Sequence, residues 1–297
     1  MNLSTASNRF AHHITRYKTN IRHWLNQYAD CEICLASLKA PLEASTTTKR
    51  ISAHVSPKPT GLFICHDCNA WLTNNGLCCS HCGEPILTAA HNQNESVRCR
   101  HCQQQPPQFD YVVSTTLYAG PPVHWIQQAK DKRKLHWMTR LARWMAANPP
   151  ACIEYVDALV PVPSHPWRRF VRGFDPASVL AERLSNDFGV PINRQLLQRT
   201  RQQKQRGLER QQRLDNIHGS YRIATDFEAR LERQPQLTVE GKHLLIIDDV
   251  MTTGATCDLL AALLKQQGAA SVGVWVLART PPPAWFIYED SRISKQA

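Results

Sequence analysis

The run Leu244-Leu-Ile-Ile-Asp-Asp-Val-Met-Thr-Thr-Gly-Ala-Thr256 decides the fold. Leu244 to Ile247 are four consecutive apolar residues, the pattern of a strand buried on both faces of a parallel sheet. Asp248 and Asp249 follow at its carboxyl end, the edge of an open α/β sheet where ligands bind. A carboxylate accepts hydrogen bonds from a sugar diol and attracts a divalent cation. Met251 leads into Thr252, Thr253, Gly254, Ala255 and Thr256. Gly254 permits a tight turn and close approach of backbone to ligand. The threonine hydroxyls are donors, and the free N–H groups opening a helix over residues 257–267 favour an anion. Diol on the acids and phosphate in the loop together describe a ribose 5-phosphate. The plainer alternative, an ordinary strand–loop–helix with Thr256 as its N-cap, leaves the paired acids unexplained. The loop lacks the Gly-Lys-Ser/Thr of a Walker motif and the Gly-x-Gly-x-x-Gly of a dinucleotide site.

Working outward, a chain of 297 residues favours two domains, and 42% hydrophobic residues with 20% charged ones describe a chain that can bury a core. No apolar run approaches the ~20 residues of a membrane span. Residues 1–30 read as a polar extension. They have no apolar stretch of a secretory signal, although Met1 to Ile21, with Arg9, Arg16 and Lys18 and no acid, leaves a transit peptide as the alternative. The expected location is cytoplasmic. A net charge of +11 favours anionic partners or simply solubility.

Nine of the eleven cysteines lie between Cys31 and Cys102. Eight of them form four Cys-x-x-Cys pairs: Cys31/Cys34, Cys65/Cys68, Cys79/Cys82 and Cys99/Cys102. Such a pair offers two thiolates from one turn to a tetrahedral Zn²⁺, so four pairs make two structural sites. Sequential pairing puts Cys31, Cys34, Cys65 and Cys68 on one ion and Cys79, Cys82, Cys99 and Cys102 on the other; interleaved pairing is the alternative. Cys78 competes with Cys79, and His66, His81, His91 or His101 is a possible substitute ligand. The segment 36–60, rich in Ser, Thr, Lys and Pro, reads as a flexible insertion. The fold class expected is therefore α/β, an open and mostly parallel sheet over residues 108–283, preceded by a double zinc ribbon over 31–107 and followed by a tail over 284–297.

Within the larger domain, residues 111–118 read as a strand, 121–148 as helical, 157–162 as a second buried strand, 175–188 as a helix and 270–277 as a strand beside the Leu244 run. Between them lies a basic loop, Pro163-Ser-His-Pro-Trp-Arg-Arg-Phe-Val-Arg-Gly-Phe174. Its Arg168, Arg169 and Arg172 can meet pyrophosphate, because a guanidinium matches phosphate oxygens bidentately. The basic, Gln-rich run Arg199 to Arg213 is a lid, a nucleic-acid patch or a solvated helix.

The Asp248–Thr256 run resembles the diphosphoribosyl-binding motif of type I phosphoribosyltransferases, which bind phosphoribosyl pyrophosphate with Mg²⁺. That resemblance implies ribose hydroxyls on Asp248 and Asp249 and a 5-phosphate wrapped by Met251 to Thr256. The wider layout resembles the ComF (competence protein F) family, in which a zinc ribbon precedes such a domain. Val160-Pro-Val-Pro163 with Arg172-Gly-Phe174, the spacing of Gln205, Leu208, Arg213 and Asn216, Tyr221, and Lys130 carry it. The family implies a role in natural transformation, in handling incoming single-stranded DNA with other competence proteins. For a transferase it implies displacement of pyrophosphate at ribose C1, with Lys130 and Arg172 assisting. A non-catalytic DNA-binding module and a scaffold for competence partners are the rival classes. Three features depart from the family pattern. Asp175-Pro176 replaces Asn-Gln, Asp131 follows Lys130 where Phe is usual, and the 36–60 insertion is long.

Overall fold

The computed structural model describes residue 31 and residues 78–86, 97–131, 134–199, 221–224 and 238–282. The extension 1–30, the insertion 36–60, Cys34, Cys65, Cys68, residues 200–213, Asn216 and the tail 284–297 lie outside the described residues. The chain divides into two units, Met1–Ala70 and Trp71–Ala297. In the first, only Cys31 is described, and it is buried.

The second unit is built on a parallel sheet of order β1-β6-β5-β2. Its strands are β1 (Tyr111–Leu117), β2 (Ala158–Pro161), β5 (His243–Met251) and β6 (Ser271–Arg279). A short antiparallel pair, β3 (Leu197–Arg199) and β4 (Tyr221–Ile223), lies outside that sheet. The helices are α1 (Arg100–Gln104), α2 (Pro121–Asp131), α3 (Leu135–Ala146), α4 (Pro166–Arg172), α5 (Pro176–Phe188) and α6 (Ala255–Gln266). The Leu244 run is the strand its sequence predicts, and Ile246 pairs with Val274 of β6. Side chains alternate across a strand, so the apolar run supplies both faces. Leu244, Ile246 and Val274 share a core with Leu260 and Leu264 of α6. Leu245, Ile247 and Trp275 are fully buried, and Trp275 meets Phe188 of α5 with ring centroids 5.9 Å apart.

Two expectations are corrected. The single helical stretch 121–148 is two helices, α2 and α3. The cause is visible in Lys130-Asp-Lys-Arg-Lys134, which carries no apolar residue to hold a continuous helix against the core. The basic loop after β2 contains a helix, α4. His165 caps it through Nδ1, which accepts from the Trp167 N–H at 3.1 Å. Pro166 sits in its first turn, and Gly173 ends it at φ 80°. No residue of α4 is buried. Among the described residues, no helix is long and apolar enough to cross a membrane.

Candidate functional site

The carboxyl ends of β5 and β2 open on a cavity of about 350 Å³. Lys130, Arg168, Arg172, Asp248, Asp249, Thr252 and Thr256 all line it, so the structure brings most of the expected site residues to one place. A smaller pocket of about 40 Å³ is bounded by Asp248 and Val250 to Cys257. It is the concave face of the loop that holds Met251, Thr253, Gly254 and Ala255. Gly254 occupies the N-cap of α6 at φ 85°, a conformation other L-residues rarely adopt. The hydroxyl-bearing Thr252 and Thr253 are exposed.

The two acids differ. Lys130 Nζ, from the last turn of α2, lies 2.8 Å from Asp249 Oδ2. Asp248 Oδ1 accepts the Asp249 N–H at 2.8 Å. Burial, followed by the Asp249 carboxylate, pushes Asp248 up to about 8. A ligand that hydrogen-bonds to an ionised Asp248 must therefore displace a proton near neutral pH.

Two wall residues, Asp175 and Tyr221, and one residue behind the loop, Arg279, received no site role from the sequence. Asp175 precedes α5 in the N-cap position, yet its carboxylate does not cap that helix. Oδ2 instead accepts Ser164 N–H at 3.1 Å and Ser164 Oγ–H at 2.9 Å, while the buried Oδ1 has no hydrogen-bond partner among the described residues. Asp175 and Ser164 both line the cavity. An Asp-Pro pair reads as a helix start, and nothing local announces the turn toward Ser164. Arg279 ends β6 in register with Met251 and is 2% exposed. An arginine closing an otherwise apolar strand, level with the end of the motif strand, was the available signal. Tyr221, anticipated only as a family aromatic, lies in the same wall with the Arg199 guanidinium 5.2 Å from its ring centroid.

The four sulfurs of Cys79, Cys82, Cys99 and Cys102 lie within 4.8 Å of one another. A tetrahedral ion with Zn–S bonds of about 2.3 Å separates its sulfurs by about 3.8 Å. Cys82 Sγ and Cys99 Sγ are 3.7 Å apart, so the donor set fits one zinc ion. The Cys102 N–H points at Cys99 Sγ, 3.5 Å away. A hydrogen bond from Cys82 holds Cys79 down to about 3, and the same pairing with burial pushes Cys82 up. Cys78 stands outside this set, bridged to Pro85. His81 also stands outside it, with Nε2 placed 2.6 Å from the Phe109 carbonyl, which makes that nitrogen the donor.

The Phosphoribosyl transferase domain model matches residues 171–292. DNA utilization protein YhgH of Salmonella typhimurium is 31% identical over 223 residues, covering 73% of this chain and 90% of that protein. Competence protein F of Haemophilus influenzae is 28% identical over 238 residues, 73% of this chain and 97% of its own. Competence protein ComFC of Bacillus subtilis is 32% identical over 125 residues, 41% and 44% of the two chains. With this cover, and with a parallel sheet carrying the Asp248–Thr256 loop beside a four-cysteine knuckle, the chain belongs to the ComF family.

Proposed function

We propose that this protein binds phosphoribosyl pyrophosphate, or a related ribose phosphate, with Mg²⁺, in the cytoplasm of a cell that takes up or uses DNA. One observation carries the reading. Paired acids at the end of β5, the 40 Å³ loop pocket and the guanidinium-bearing wall of α4 meet around the larger cavity. In this reading the loop holds the 5-phosphate, Asp248 and Asp249 receive the ribose hydroxyls, and Arg168 and Arg172 face the pyrophosphate. When bound, Mg²⁺ supplies countercharge to pyrophosphate. In a transfer reaction, a bond from the acceptor to ribose C1 forms as the C1–O bond to pyrophosphate breaks, and the electron pair leaves on that oxygen. Lys130 and Arg172 then stabilise developing negative charge. The names of the relatives support a place in DNA uptake or use. We also propose that Cys31, Cys34, Cys65 and Cys68 hold a second zinc ion.

Titration calorimetry with phosphoribosyl pyrophosphate and Mg²⁺ tests the reading. Binding by the zinc-loaded protein, abolished in Asp248→Ala/Asp249→Ala, supports it; no binding by the folded wild type defeats it.

A specific feature favours a second reading, a single-stranded-DNA-binding module. Trp167 and Phe170 of α4 are 66% and 79% exposed and stack with centroids 6.0 Å apart. Arg168, Arg169 and Arg172 share the helix. Aromatic faces with arginines suit unpaired bases and phosphates. Anisotropy of a labelled oligonucleotide would show steeply salt-dependent binding, weakened by Trp167→Ala. Unchanged affinity in that variant removes α4 from the interface.

A further inference from the structure

Arg279 joins the cysteine knuckle to the phosphate loop. Its Nε donates to the Cys82 carbonyl at 3.2 Å, and its Nη2 lies 3.4 Å from Glu84 Oε2. The opposite side of the guanidinium reaches the loop. Nη1 donates to Met251 O at 3.3 Å, to Thr280 O at 3.0 Å and to Thr252 O. One buried side chain therefore holds a carbonyl of a knuckle cysteine and two carbonyls of the loop.

A second link runs beside the first. His81, between Cys79 and Cys82, bonds the Phe109 carbonyl, and the Phe109 ring packs against the loop at Gly254, where an added Cβ would lie 3.8 Å from it. The knuckle is thus linked to the loop through two intermediaries, Arg279 and Phe109.

Peptide geometry turns these contacts into function. In a planar trans peptide the N–H points opposite the carbonyl. Turning the carbonyls of Met251 and Thr252 toward Arg279 directs the N–H groups of Thr252 and Thr253 away from it. A loop whose donors are held before the ligand arrives spends less free energy on ordering when an anion binds. The cationic guanidinium fixes those dipoles more firmly than a neutral donor would. Its anchorage in turn depends on the Cys82 carbonyl, whose position a zinc ion bound at the Cys82 sulfur would fix.

We propose that Arg279 is a positioning residue that preorganises the phosphate loop, and that metal occupancy of the Cys79/Cys82/Cys99/Cys102 knuckle thereby sets the affinity of the loop for a 5-phosphate. The affinity half rests on the ribose-phosphate reading above; the preorganisation half does not. The zinc centre then serves the site, and is more than a fastening of the amino-terminal segment.

Two readouts on the full chain test this. Calorimetry with ribose 5-phosphate measures affinity, and hydrogen exchange of the 251–256 amides without ligand measures order in the loop. Zinc content is determined for every sample. Arg279→Met with full zinc is expected to bind about 10-fold or more weakly, from loss of several charge-assisted hydrogen bonds. Its loop amides exchange faster while those of 244–247 remain protected. Arg279→Lys, which keeps the charge but loses the fork, recovers part of both; a space-filling role would make Met the better replacement. Cys99→Ser, altered only in the knuckle, reproduces the faster loop exchange. If Arg279→Met does not fold, Glu84→Gln takes its place, with a smaller change in the same direction. Wild-type exchange and affinity in the zinc-loaded Arg279 or Glu84 variant overturn the positioning role, and unchanged loop exchange in Cys99→Ser overturns the metal coupling. If the wild type does not bind ribose 5-phosphate, the ribose-phosphate reading and the affinity half fail together, and exchange alone decides whether the loop is preorganised from the knuckle.

Discussion

The Lys130 ammonium stands 2.8 Å from Asp249 Oδ2, and this ion pair gives two adjacent carboxylates different chemistry. Asp249 has a counter-charge. Asp248, one residue earlier, accepts the Asp249 N–H, and burial followed by the Asp249 carboxylate pushes it toward the protonated form, with the Lys130 charge offsetting only part of this.

The pair should be measurable as a coupling. Lys130→Met leaves Asp249, 9% exposed, without its partner. Breaking a buried pair is costly, but both side chains keep some solvent, so the expected loss is about 1–3 kcal/mol of folding stability. Asp249→Asn alone strands the ammonium. The double variant should recover much of either loss, because neither charge is then uncompensated. Denaturant unfolding of the four proteins gives the cycle, and additive single losses would show that the pair contributes nothing.

Asp248 predicts a proton linkage. An aspartate in an unfolded chain releases its proton near pH 4, whereas Asp248 in the fold releases it at about 8. Between these values the native state binds more protons than the unfolded chain. Its contribution to stability therefore falls as pH rises through that window and levels off above it. Binding of a ribose phosphate to the ionised form has the opposite sign. Affinity should rise from pH 6 toward 8, and binding at pH 7 should release about one proton per site. Calorimetry in buffers of different ionisation enthalpy reads that proton, and identical heats would contradict it.

What the sequence disclosed was local. Strand, acids, loop and helix start are contiguous from Leu244 to Thr256, so adjacency alone reveals their geometry. The knuckle is legible for the same reason, since Cys-x-x-Cys brings two sulfurs together within one turn. What stayed hidden depends on partners far along the chain. Arg279 meets Cys82 from 197 positions away, and only the register of β6 against β5 brings it beside Met251. Asp175 carries the local signature of a helix cap, yet tertiary structure gives its carboxylate to Ser164. α4 was missed because seven residues without a buried side show no apolar periodicity.

The knuckle makes a stoichiometric prediction. Cys99→Ser removes one sulfur from a set of four within 4.8 Å and should lower bound zinc by about one equivalent per chain. Cys78→Ser should leave it unchanged, because Cys78 stands outside the set. Zinc analysis by mass spectrometry on purified variants separates the two. Loss of metal from Cys78→Ser would mean that it, and not Cys79, is a ligand.

The loop glycine can be tested against a control elsewhere in the same fold. Gly254 and Gly189 both adopt positive φ, 85° and 71°. An alanine at either site is forced into the left-handed region, costing about 1–2 kcal/mol. At Gly189, after α5, an added Cβ meets nothing within 4 Å, so only that backbone cost should appear. At Gly254 the Cβ would also approach Met251 Cε at 2.6 Å. The methionine tip can yield, but the φ angle at the N-cap of α6 cannot change without moving the N–H groups around the pocket. Gly254→Ala and Gly189→Ala should therefore lose similar stability in thermal unfolding, while only Gly254→Ala loses affinity for ribose 5-phosphate, about 10-fold or more for a misplaced set of donors. Equal affinities in the two variants would show that the loop conformation does not govern phosphate binding.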